Sequence, residues 1–152
     1  MISRAQIIAE ALSWRGTPFV WQQSVKGRGC DCRGFVFGVA RELGLAESRV
    51  KEVSASDYGH AFAPERLLSG LALALRRTER PQPGDVLAML LGSRDPDAGP
   101  RHLGILLDAG QMVHCYGRGP LIARKVISVP LTSRWPVHSY WTWPSLEAAG
   151  GA

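Results

Sequence analysis

The texture of the chain changes at "PQPGD", residues 81–85, and that change limits the folds open to it. Before it, apolar residues recur at helical spacing. Ile7, Ile8, Ala11 and Leu12 share one face behind Ser3 and Gln6, which have the form of a capping box, and the spacing predicts a helix over about residues 3–15. Phe35, Val39, Ala40 and Leu43 predict a second helix that begins near Asp31 or Cys32 and stops at Gly44. Leu67, Leu68, Leu71 and Leu75 predict a third, from Pro64 to about Arg77. After the change, "VLAMLL", "HLGILLD", "QMVHCYG", "ARKVISVPL" and "VHSYWTW" are short β-branched or alternating runs separated by Gly, Pro and Asp, and read as an antiparallel meander. Helices first and strands second specify an α+β fold, with N-terminal helices packed on a C-terminal antiparallel β-sheet. A doubly wound parallel sheet would alternate the two.

A chain of 152 residues, 45% hydrophobic, is long enough to close one core, so a single domain is expected over residues 1–145 with a flexible tail at 146–152. The formal charge is +5, but 15 of the 18 basic residues are Arg scattered along the chain with no aromatic stripe between them, which argues against a nucleic-acid partner. Three cysteines, an odd number, do not make a secreted disulfide framework, and no charged-apolar-small leader opens the sequence, so cytoplasmic synthesis is expected. The apolar stretches are too short for membrane insertion. The Trp135 to Trp143 end, with three Trp and one Tyr, reads as an apolar surface patch.

Chemistry is concentrated in "GRGCDCRGFVFGVARELGL", residues 27–45, where Cys30 and Cys32 flank Asp31 at the predicted start of the second helix. Unpaired N–H groups and the helix dipole favour a thiolate at Cys32 and lower its pKa, which makes a nucleophile if a histidine takes the proton. Two other readings stay open, a buried small hydrophobe and a zinc ligand; C-x-C spacing fits structural zinc poorly, and no metal or other cofactor is expected. A Cys30–Cys32 disulfide would be strained. The base is sought in "HLGILLDAGQMVHCY", which reads as a hairpin turning at Asp108, Ala109 and Gly110, with Gly in the left-handed conformation. Its register sets residue 104 opposite 114, so His102 and His114 share a face as base and orienter, while Cys115 points the other way. The orienter would accept the Nδ1 proton of the base. The chain has no Asn, which excludes a Cys-His-Asn triad. His60 reads as a loop residue and His138 as strand or rim.

These segments resemble the NlpC/P60 cysteine peptidases. "GTPFVWQQSVKGRGCDCRGFV" (16–36) is similar to that family's nucleophile segment, "PGDVL" (83–87) to its first-strand signature and "HLGILL" (102–107) to its histidine strand, while His114 falls on its third catalytic position. The resemblance implies a papain-like fold with Cys32 as nucleophile, His102 as base and acid and His114 as orienter. It implies a substrate-binding surface from Asp31, Phe19, Trp21, Gln22, Gln23 and Arg33, with Asp31 on the peptide's amino group. The implied substrate is peptidoglycan stem peptide, cut at the γ-D-glutamyl to diaminopimelate bond. Phe19 stands where the family has a tyrosine whose hydroxyl helps the oxyanion or substrate, Gln22-Gln23 where it has Gly-Gly and Arg33 where it has serine; a side-chain amide of Gln22 or Gln23 is expected to replace the missing donor. "QSVKGRGCDC" further resembles the branch encoded with tailed phages and gene transfer agents, which implies tail hub or baseplate partners and action in the wall of a target cell. The alternative is a structural tail-tip protein that kept the fold and lost the chemistry; an acyltransferase would use the same thioester.

Overall fold

A computed structural model describes residues 1–50, 64–91, 94–108, 110–117, 124–132 and 135–146. Among the described residues, three α-helices, α1 (Arg4–Ser13), α2 (Cys32–Glu42) and α3 (Pro64–Ala74), precede a six-stranded sheet. A two-stranded ribbon, β1 (Ser24–Val25) and β2 (Gly29–Cys30), separates α1 from α2. The sheet contains β3 (Arg76–Thr78), β4 (Val86–Met89), β5 (His102–Leu106), β6 (Gln111–Cys115), β7 (Val126–Pro130) and β8 (Val137–Thr142). Its order is β3-β8-β4-β5-β6-β7, with every neighbour antiparallel. The expected meander is therefore β4 to β7, and β8 departs from it by returning across β4.

Local signals account for most of these boundaries. Ser3 and Gln6 make the capping box of α1, and Asp31 caps α2. The third helix ends at Ala74 rather than near Arg77, because Arg76, Arg77 and Thr78 pair instead with Thr142, Trp141 and Tyr140 of β8. "LALAL" at 71–75 alternates as well as it repeats at helical spacing, so sequence alone does not mark that switch. Gly110 has φ +69 in the β5–β6 hairpin, as expected of it; Ala109, in the same turn, and His60 lie outside the described residues, as do 147–152 of the expected tail. Leu146, the first tail residue, instead packs on the core, and the neighbouring Ser145 donates through both its amide and hydroxyl to Glu47 Oε1, at 2.8 and 2.6 Å.

The sheet has two apolar faces. One receives α1 and α2 through Trp14, Phe35, Val36, Val39, Leu103, Ile105 and Val113; the other gathers Leu87, Met89, Met112 and Trp135. The tryptophans at the C-terminal end make no surface patch, since Trp135, Trp141 and Trp143 are all buried. Trp143 packs edge-on against Phe37, and its Nε1 donates to the Gly84 carbonyl.

The "PGD" turn joins α1 to the sheet. Asp85 is buried; its Oδ1 lies 2.6 Å from Arg4 Nη1 and its Oδ2 accepts from the Gln82 amide, while Arg4 Nη2 reaches Thr142 Oγ1 on β8. Removing the guanidinium leaves a carboxylate with no cation in a dry turn. Arg4→Met is expected to cost about 2 kcal/mol in urea unfolding, and Arg4→Met with Asp85→Leu less than the single change. A double variant weaker than the single one would count against the ion pair as the join.

Candidate active site

Asp31 builds the site from the backbone outward. Its Oδ1 accepts from the Gly34 amide at 2.7 Å, capping α2, and its Oδ2 accepts from the Gln22 amide at 2.9 Å. One side chain thus ties the loop ahead of β1 to the helix that carries Cys32. Both oxygens accept from backbone amides and the residue is 1% exposed, so the carboxylate serves the backbone. Gly34 is required by close approach, because a Cβ there would run into the Gln23 carbonyl. Gln22 holds φ +63, a conformation that suits the glycine the family has in its place.

The remaining loop residues are distributed around this join. Phe19 donates its amide to the Arg124 carbonyl and lays its ring over Gly117. Trp21 is half-buried in the turn before β1, and Gln23 is exposed with its side-chain amide against Gly29. Arg33 is buried directly after the thiol, and its charge favours the thiolate.

The Cys32 thiol is 7% exposed, and its sulfur accepts from the Leu103 backbone N–H. Its pKa is pushed up to about 12, first by burial and then by the Asp31 charge, against the pull of the Leu103 amide and Arg33. The lowered pKa expected from the helix terminus is not what this resting site has: desolvation outweighs the dipole. Cys30 and Cys115 are free buried thiols, Cys115 Sγ donating to the Cys30 carbonyl at 3.3 Å, and Cys30 is held neutral by the Cys115 thiol and by burial.

The histidines meet as the hairpin register requires. Gly104 pairs with His114 across β5 and β6, and His102 Nε2 lies 2.7 Å from His114 Nδ1. The bonded nitrogen of His102 is Nε2, not Nδ1 as expected, because the diagonal placement turns the far ring edge toward the neighbouring strand. With Nε2–H as donor, His102 Nδ1 keeps the lone pair a general base needs. Burial holds both rings neutral: His102 well below its ordinary value, with His114 adding to the effect, and His114 down to about 4. Strand alternation sets Leu103 and Cys115 toward α2 and Cys32, and the histidines toward the opposite face, where Trp135 and Tyr116 touch them. The thiol bonds to the backbone of Leu103, the residue after His102, while the imidazole pair lies toward the other face of the sheet.

Sequence reasoning missed Tyr116 and Trp135. Tyr116 was open to the same alternation that found His114, two residues earlier on the strand. Trp135 comes from the loop before β8 and carried no local signal. His138 sits apart from the pair, bonded to Ser139 Oγ at 2.9 Å.

A sequence profile of the NlpC/P60 family matches residues 16–138. The chain belongs to the NlpC/P60 family. Its fold is the papain-like α+β arrangement found in solved family domains. The NlpC/p60 domain of the peptidoglycan hydrolase SagA is 24% identical, with a TM-score of 0.57 over 93% of this chain and 99% of that one. NlpC2 from Trichomonas vaginalis is 19% identical, TM-score 0.65, over 93% of this chain and 49% of its own. RipD from Mycobacterium tuberculosis, described as a non-catalytic NlpC/p60 domain protein adapted to peptidoglycan binding, is 17% identical, TM-score 0.55, over 91% and 95%. No curated protein sequence matches. NlpC/P60 proteins are generally cysteine peptidases, and this family member has the hydrolase-like fold.

The shifted groups set a stability window. The histidines bind protons more weakly folded than unfolded, so their contribution is present above pH 6.5 and is lost as pH falls toward 4. Cys32 holds its proton more tightly folded, so its contribution is present below pH 9 and is lost as pH rises toward about 12. Chemical denaturation across pH should give a plateau between these limits, with the alkaline decline reduced in Cys32→Ser. An unchanged alkaline limb in that variant would contradict the burial assigned to the thiol.

Proposed function

We propose that the protein is a cysteine peptidase that hydrolyses peptidoglycan stem peptides at the γ-D-glutamyl to diaminopimelate bond. Cys32 is the nucleophile, His102 the base and acid, and His114 the orienter. The observation that carries this reading is the buried 2.7 Å bond between His102 Nε2 and His114 Nδ1, which leaves Nδ1 of His102 for proton transfer. In the reaction Sγ leaves the Leu103 amide, gives its proton to His102 Nδ1 and attacks the peptide carbonyl. The C–N bond breaks as His102 returns that proton to the leaving amine. Water, deprotonated by His102, then cleaves the thioester and the thiol is regenerated. Both partners rest neutral, so the proton moves during attack rather than before it. Action from a phage-like tail, docked on hub or baseplate proteins, is the setting favoured by the likeness of "QSVKGRGCDC" to the phage and transfer-agent branch.

One observation favours a second reading, a tail-structural or wall-binding protein without turnover. The thiol is buried, bonded to a backbone amide and held protonated. RipD offers a precedent for such a change within the fold.

Purified muropeptides incubated with the protein and analysed by mass separate the two. The peptidase reading expects a new amine and carboxylate at one bond, lost by at least about 10³-fold in Cys32→Ser and in His102→Ala. Binding of intact muropeptides with no product, unaltered by Cys32→Ser, would replace it with the second reading.

A further inference from the structure

The histidine pair is enclosed by aromatic rings. The Trp135 ring centroid lies 5.3 Å from each imidazole, tilted 35° to His102 and 78° to His114. Tyr116 closes the cluster, 4.9 Å from Trp135 and 5.3 Å from His102. Trp135 is 8% exposed and packs in the cluster with Leu87, Met89 and Met112. An indole face attracts a cation within about 6 Å of its centroid, whereas a neutral ring gains only packing. The contact therefore strengthens once His102 carries a proton, and an interaction that grows along the reaction raises turnover instead of tightening the resting state.

We propose that Trp135 is a positioning residue whose indole ring, 5.3 Å from the His102 ring between centroids, holds the His102 imidazolium formed when Cys32 gives up its proton. Its effect on turnover rests on the peptidase reading; its effect on proton binding rests on the ring geometry alone. The other groups facing His102 are His114 and Tyr116 from β6 and its extension, while β4 presents the uncharged Met89; Cys32, Asp31 and Arg33 at the start of α2 lie toward the other face of the sheet. A Trp135 that merely kept water out would act with the opposite sign, because opening the site relieves the burial that now disfavours the charged ring.

The test compares Trp135→Leu, which keeps an apolar filling, with Trp135→Phe, which keeps an aromatic face. Each protein is carboxymethylated at Cys32 with iodoacetate at alkaline pH, so that the added carboxylate draws His102 up into a titratable range, and the ring is followed by NMR against pH. His102 in Trp135→Leu is expected to protonate about one pH unit lower than in the wild type, with Trp135→Phe recovering most of the difference. On muropeptides, unmodified Trp135→Leu is expected to lose about 10-fold in kcat with KM within about twofold. Protonation at a higher pH in Trp135→Leu, or equal effects of Leu and Phe, would overturn the proposal. If the wild type cuts no muropeptide, the titration still decides the role of Trp135, and that failure belongs to the peptidase reading. Should Leu prevent folding, Trp135→Met makes the same comparison.

Discussion

The buried carboxylate of Asp31 is the contact on which the site depends. A capping bond of this kind contributes about 1 kcal/mol to a helix, but its larger effect here is geometric. By accepting from Gly34 on one oxygen and Gln22 on the other, it fixes where α2 begins relative to the loop ahead of β1. The Cys32 sulfur can then reach the Leu103 amide, and Gly34 can approach the Gln23 carbonyl as closely as it does. After burial, the same carboxylate is the next cause that raises the thiol's pKa, so the residue that positions the thiol also helps to keep it protonated at rest.

On the other side of that amide the sheet supplies a different environment. His102 and His114 are dry, bonded to each other and ringed by Trp135 and Tyr116. Burial keeps both rings uncharged, so thiol and imidazole both rest neutral. On the proposed peptidase reading, a thiolate–imidazolium pair would be created here only with substrate in place. On that reading, groups that favour charge, Arg33 and the proposed Trp135 indole among them, would act on an intermediate state rather than on the resting one.

Much of this was legible in the chain. Capping residues, helical spacing and the turn glycine are local, and they located α1, α2 and the β5–β6 hairpin with its histidine register. Where local signals were double-valued the reading failed: "LALAL" alternates and repeats at once, and pairing with β8 ended α3 early. Charge was misjudged for a related reason. A helix terminus is visible in sequence, but the depth at which it is buried is not, and at Cys32 depth dominates.

The sequence by itself determined the α+β order, the placement of Cys32 at a helix start and the pairing of His102 with His114, because each follows from contacts a few residues apart or from the period of a strand. The tertiary structure alone decided which ring nitrogen His102 commits, how dry the thiol is, that three C-terminal tryptophans turn inward and that Trp135 covers the imidazoles. These depend on distances between segments far apart in the chain, which no local pattern encodes.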